Sequence, residues 1–282
     1  MTATLILGTA QLRGTYGIVG RPAVSRSNHD ADELLQHAAE LGFSAVDTAP
    51  AYDDAEALIG RSGLDLAVHT KIDPALDPAD SIERSLRRLN RSRVEVLYFH
   101  DPEIVTHDPR RLIDRAHALL GEQIDTLGAS VYSAHELRAV IDDARFGSVQ
   151  VPMSLLDRHI DDAAISRACE RGLQVFVRSI FLQGVLLTPP DLIPERVALL
   201  APYVASVRAV ARRARVSVSA LALGWVKRRP GIAGVVVGAN SCQELEALAE
   251  AWAAPMLADD VLAACEALEV PPAAVCDPRS WR

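Results

Sequence analysis

Four residues of complementary type stand out: Asp47, Tyr52, Lys71 and His100. A phenol is a poor acid at neutral pH, with a pKa of about 10. A lysine cation beside a phenol favours the phenolate, and a carboxylate beside the lysine holds that cation charged and in place. An imidazole beside the phenol can position a carbonyl oxygen by hydrogen bonding. A phenol so equipped can give a proton to an oxygen while hydride reaches the adjacent carbon. Run backwards, the phenolate takes the proton as an alcohol is oxidised. Each residue alone reads more readily as a hydrogen-bonding or surface group, and the spacing by itself names no reaction. The weight lies in four complementary types at or just after the ends of consecutive strand-like runs.

The elements that must hold these residues alternate between β and α periodicity. Strands are predicted at 5–8, 43–47, 67–71, 94–100, 126–130, 148–151, 173–177 and 232–238. Helices are predicted at 30–41, 80–89, 134–144 and 161–171, as one long helical region over 195–227, and from near Ser241 onward. Gly42 and Gly172 stop helices just before strands. Strict alternation means parallel strands with helical crossovers, and eight such units in 282 residues favour a closed (β/α)8 TIM barrel over an open doubly wound sheet. An open nucleotide-binding sheet would usually carry G-x-G-x-x-G after its first strand; the stretch here is Gly8-Thr9-Ala10-Gln11. A single barrel domain over 1–282 is expected, with an extra helix near 259–268 and a C-terminal tail, together about 255–282. At the C-terminal face of such a barrel, Asp47, Tyr52, Lys71 and His100 would point into one bowl.

A net charge of −8 argues against nucleic acid as a partner, because phosphate binding needs a surplus of cations. The basic clusters at 212–215 and 227–229 read as solvated helix faces or ends. Cys169, Cys242, Cys265 and Cys276 form no C-x-x-C pair and lie beside no histidine cluster, so no metal site is expected. Scattered cysteines, an N-terminus without signal-peptide character and no uninterrupted apolar run of spanning length point to a cytoplasmic protein without a membrane partner. A metal-dependent hydrolase barrel would want His-x-His after the first strand, where Gly-Thr-Ala-Gln stands.

Asp47-Thr48-Ala49 through Tyr52, then Glu56 and Gly60, resembles the aldo-keto reductase signature D-T-A-x-x-Y-G-x-S-E-x-x-x-G. Leu7-Gly8-Thr9-Ala10, Lys71, His100, Gly128-Ala129-Ser130, Gln150, Arg178-Ser179 and Val237-Gly238-Ala239 extend the resemblance nearly end to end. It implies an aldo-keto reductase barrel, nicotinamide-dependent carbonyl reduction, and Tyr52 as general acid with Asp47, Lys71 and His100 as partners. It also implies a cofactor site. Thr9 and Asp47 would lie near the nicotinamide ribose, and Ser130 and Gln150 would hold the carboxamide. Arg178 stands where many members stack an aromatic on the nicotinamide, and a guanidinium can stack instead. Ser179, Phe181 and Gly184 match the loop over the pyrophosphate; Gly238, Asn240 and Glu244 match the adenosine end.

Three departures sharpen these expectations. Val131 replaces an asparagine that often follows Ser130, and Asp53 replaces the usual glycine after the tyrosine. The stretch 239–244 lacks the cation that would meet a 2′-phosphate, so NADPH, the family default, is expected to be weakly preferred or to yield to NADH. The substrate, a small-molecule carbonyl or sugar, would meet Tyr16, Tyr52 and His100, with Tyr132, Met153 and Trp281 as further candidates. Met153 reads equally well as core, and Trp281 as a disordered terminus. A monomer or small homo-oligomer is expected. The alternative is a catalytically weak cofactor-sensing or regulatory subunit of the same fold.

Overall fold

A computed structural model describes residues 3–13, 17, 27–101, 103–108 and 111–281. Eight parallel strands close into a barrel in chain order: β1 (Thr4–Gly8), β2 (Ala45–Asp47), β3 (Ala67–Lys71), β4 (Val94–Phe99), β5 (Ile124–Ser130), β6 (Ser148–Pro152), β7 (Gln174–Arg178) and β8 (Ile232–Val237). Closure runs through β1 and β8, with Thr4 opposite Gly234 and Leu7 opposite Val237. The (β/α)8 reading of the sequence therefore holds.

Around the barrel lie α1 (Asn28–Glu40), α2 (Ala55–Ser62), α3 (Pro78–Leu89), α4 (Glu103–Thr106), α5 (Leu112–His117), α6 (Ala134–Asp142), α7 (Asp162–Glu170), α8 (Ala201–Ala214), α9 (Val218–Lys227), α10 (Cys242–Ala253), α11 (Asp259–Glu266) and α12 (Ala273–Cys276). Local chemistry sets several starts. Ser27 with Asp30, and Ser133 with Glu136, form capping boxes on α1 and α6. Asp77, with Pro78 in the first turn, caps α3.

The predicted helical region over 195–227 is broken. It opens in 3-10 turns, continues as α8, stops at left-handed Arg215 and restarts as α9 behind the Ser217 cap. The apolar period persists across the break, which is why the sequence read as continuous. The short helices α2, after the second strand, and α4 and α5, after the fourth, fill βα units without predicted helix bounds.

Two apolar layers result. Strand outer faces meet the helices in one large cluster, while Ile6, Ala45, Val96, Tyr98 and Phe176 fill the barrel axis. The axis is crowded enough to require glycine. A Cβ at Gly128 would lie 2.6 Å from the Tyr98 ring. His69 also points inward, its ring 4.8 Å from Phe176 and 6.0 Å from Tyr98 between centroids.

Candidate active site

The inward row that fills the axis continues upward to the strand ends, where it turns polar. Asp47 closes β2, Lys71 closes β3, Ser130 closes β5 and Gln150 lies in β6, all four buried. His100 follows β4 directly, and Tyr52 sits in the turn after β2, its amide donating to the Ala49 carbonyl at 3.0 Å.

Lys71 Nζ donates to Asp47 Oδ1 and to the Thr48 carbonyl, each at 2.8 Å. The same nitrogen lies 4.8 Å from the Tyr52 ring centroid. The Tyr52 and His100 rings meet edge-on at 6.5 Å between centroids. Gln150 Nε2 donates to the second Asp47 oxygen at 2.7 Å, and Ser130 Oγ donates to Gln150 Oε1 at 3.2 Å. One hydrogen-bonded chain thus links Lys71, Asp47, Gln150 and Ser130. A buried polar network of this kind is tolerable because each link is satisfied.

The electrostatics follow from burial and these neighbours. Burial pulls the Lys71 ammonium down, but the Asp47 carboxylate and the Tyr52 hydroxyl more than reverse it, leaving the group above its ordinary value. Burial, then the Lys71 and Arg178 cations, push His100 from 6.5 to about 4. The imidazole is therefore neutral at physiological pH and able to donate or accept a hydrogen bond.

The residues expected to meet the cofactor make contacts of different kinds. Thr9 donates its amide and its hydroxyl to the Asp47 carbonyl, at 2.9 and 3.0 Å, and so braces β2. Arg178 donates to Ser130 Oγ, Ser179 Oγ and the Val131 carbonyl. Its guanidinium carbon lies over the Tyr132 ring, 4.2 Å from the centroid. Ser179, Leu182, Gln183 and Gly184 have positive φ, which coils the chain after β7. Phe181 differs from the others, because its side chain enters the core and only its backbone serves this coil.

Gly238 faces the Gln11 side chain, where a Cβ would sit 2.1 Å from Oε1. Glu244 Oε2 accepts from the backbone and side-chain nitrogens of Asn240, at 2.9 and 3.0 Å. Tyr16 lies outside the described residues. Met153 is core, and Trp281 is well packed rather than a loose terminus.

Two features escaped the sequence reading. A cavity of about 80 Å³ beside His100 is lined by Pro50, Ala51, Ile72, Asp73 and Pro74. These residues directly adjoin Asp47, Tyr52 and Lys71 in sequence, so their positions were the available signal. Arg279 also reaches this mouth, placing its guanidinium 4.2 Å from the Tyr132 centroid, and no local pattern announces it. Among the described residues, no group of three or more His, Cys, Asp or Glu could hold a metal ion, and no helix is long and apolar enough to cross a membrane.

Comparison with known proteins gives the family and the fold. The family model described as Aldo/keto reductase family matches residues 4–270. The aldo-keto reductase YhdN of Bacillus subtilis (strain 168) is 23% identical over 279 residues, covering 84% of this chain and 83% of its own. The holo form of aldo-keto reductase AKR11C1 from Bacillus halodurans superposes with a TM-score of 0.78 at 22% identity, covering 94% of this chain and 91% of that one. PA4992 of Pseudomonas aeruginosa, a candidate aldo-keto reductase, gives a TM-score of 0.66 at 23% identity over 89% of this chain and 90% of its own. At these identities the solved structures speak for the fold alone.

Proposed function

Because the chain belongs to the aldo/keto reductase family, we propose that it moves hydride between an NAD(P) nicotinamide and the carbonyl or alcohol carbon of an aldehyde, ketone or sugar. The observation that carries this reading is the buried Lys71–Asp47 pair with its ammonium 4.8 Å from the Tyr52 ring. The residues present fit the cofactor. The buried Ser130 hydroxyl and Gln150 amide offer the mixed donor and acceptor character that a carboxamide needs. When bound, the nicotinamide supplies or accepts the hydride.

The chain's own residues supply the rest. Neutral His100 orients the substrate oxygen, and the Tyr52 hydroxyl delivers its proton. Lys71, fixed by Asp47 and the Thr48 carbonyl, stabilises the negative charge left on the Tyr52 oxygen. The cavity lined by Pro50, Ile72 and Pro74 beside His100 receives the remainder of a small substrate. We read the chain as a single barrel unit with a C-terminal extension, acting in the cytoplasm as a monomer or small homo-oligomer, with neither nucleic acid nor membrane as partner.

Tyr52→Phe tests this reading. NAD(P)H binding, followed by nicotinamide fluorescence, should persist while turnover of an aldehyde panel falls by about 10²–10⁴-fold. Full turnover in the variant refutes the proton-donor role. Binding without turnover in the unaltered protein would point instead to cofactor sensing.

The adenosine end supports a finer statement. The stretch 239–244 has no Lys or Arg, and Glu244 holds Asn240 at the start of α10. A carboxylate there opposes a 2′-phosphate, so NADH should serve at least as well as NADPH. The ratio of kcat/KM for the two cofactors measures this, and a strong NADPH preference overturns it.

A further inference from the structure

Tyr132 is gripped from two parts of the chain. Arg178, at the end of β7, and Arg279, in the C-terminal tail, both place the guanidinium carbon 4.2 Å from its ring centroid. Tyr132 therefore touches both the strand-end arginine and the arginine of the tail. The tail is itself anchored. Asp277 takes Nε of Arg279 at 3.0 Å and Nη2 at 2.8 Å, Trp281 Nε1 donates to the Val275 carbonyl at 2.8 Å, and Cys276 Sγ donates to the Leu156 carbonyl at 3.2 Å. Asp277 also offsets the second cation. Its carboxyl lies below the usual range, chiefly through its hydrogen bond to Arg279 and also through the field of Arg178.

Arg178 carries this grip into the candidate site. Its Nε donates to Ser130 Oγ at 3.2 Å, Ser130 donates to Gln150, and Gln150 donates to Asp47, the partner of Lys71. A guanidinium is planar and rigid, so fixing its face fixes the direction of its N–H groups. A side chain held by hydrogen bonds alone can still rock about them; a ring packed over the guanidinium limits that freedom.

We propose that Arg279 is a positioning residue: by clamping Tyr132 against Arg178, the C-terminal tail fixes the Ser130–Gln150 pair that meets the nicotinamide carboxamide. This rests on the reading above that a nicotinamide cofactor binds at that pair. The tail thereby acts on cofactor affinity without touching the cofactor.

The experiment compares unaltered protein with Arg279→Ala, Tyr132→Ala, Tyr132→Phe and the Arg279→Ala/Tyr132→Ala double variant. Two readouts are taken: the Kd for NADH and NADPH by fluorescence titration, and hydrogen exchange of segments 128–133 and 176–180 without cofactor. Arg279→Ala and Tyr132→Ala should each raise Kd by about fivefold, the upper scale of a cation–π contact made by an exposed arginine, and speed exchange in both segments. Tyr132→Phe keeps the ring and should stay within about twofold of the unaltered protein. The double variant should be no worse than either single, because both break one device. The proposal is overturned if Arg279→Ala leaves Kd and exchange unchanged, or if the single effects add. It also falls if the unaltered protein binds neither cofactor; that outcome removes the cofactor reading itself and is distinct from a clamp that fails while binding persists.

Discussion

Two arginine–aromatic–arginine arrangements hold the C-terminal part of the chain to the barrel, and they connect to different things. In the first, the ring of Trp225 of α9 has Arg158 5.0 Å and Arg229 3.9 Å from its centroid. Glu266 of α11 accepts from Trp225 Nε1, Arg158 and Arg229, and Arg158 also donates to the Cys265 carbonyl. Arg158 Nε donates within its own loop to the Leu155 carbonyl at 3.1 Å and Arg229 Nε faces Asp162 at 3.4 Å; among the described residues, none of these hydrogen bonds reaches Ser130, Gln150 or Asp47. In the second, Tyr132 packs against both Arg178 and Arg279, and the hydrogen bonds run on from Arg178 to Ser130, Gln150, Asp47 and Lys71. The same contact chemistry serves as a clasp in one place and as an alignment device in the other. What distinguishes them is where the leftover donors point.

The contrast can be broken from either side. The largest expected effect is at the far end of the second arrangement. Lys71→Met removes the cation under Tyr52 and should cost turnover about 10²–10⁴-fold, comparable to Tyr52→Phe, measured on protein shown to be folded by circular dichroism. A merely twofold loss would disconnect Lys71 from the proton transfer.

The first arrangement should answer in stability rather than rate. Trp225 is 1% exposed, so Trp225→Ala should lower the unfolding free energy by about 3–5 kcal/mol in denaturant titration. Cofactor Kd should barely change, and a change as large as that expected for Arg279→Ala would erase the distinction between clasp and alignment device.

A smaller effect concerns His69, beneath the active-site layer. Its Nδ1 is buried without a hydrogen-bond partner, and burial, opposed by the Asp47 charge and assisted by Lys71, pushes the imidazole from 6.5 to about 4. An unfolded imidazole takes its proton near 6.5, the folded one only near 4. Between those values the unfolded chain binds more protons, so stability is full above 6.5 and falls as the pH drops toward 4. His69→Leu should flatten that decline, recovering up to about 3 kcal/mol at the acid end. Unfolding curves between pH 7 and 4.5 that run parallel for the two proteins would contradict the assignment.

Within the signature the division between chemistry and scaffold is also sharp. Glu56 is 1% exposed and accepts from Thr70 Oγ1 at 2.8 Å. A Cβ at Gly60 would lie 2.3 Å from the Arg88 carbonyl oxygen. Both residues hold α2 against its neighbours, whereas Asp47 and Tyr52 face the mouth. A linear motif does not separate these duties, because it records spacing and not direction.

The sequence by itself determined the βα period, the closed barrel, and the placing of an acid, a phenol, an amine and an imidazole at successive strand ends. Such features depend on backbone preference and on which way alternate side chains point, and both are encoded among near neighbours. Tertiary structure alone decided that Arg178 lies on Tyr132, that Arg279 returns from the tail to the same ring, and that His69 is sealed in the barrel axis. These facts depend on which residues, distant in the chain, compete for the same buried volume and the same hydrogen bonds. Only the closed barrel brings those competitors together.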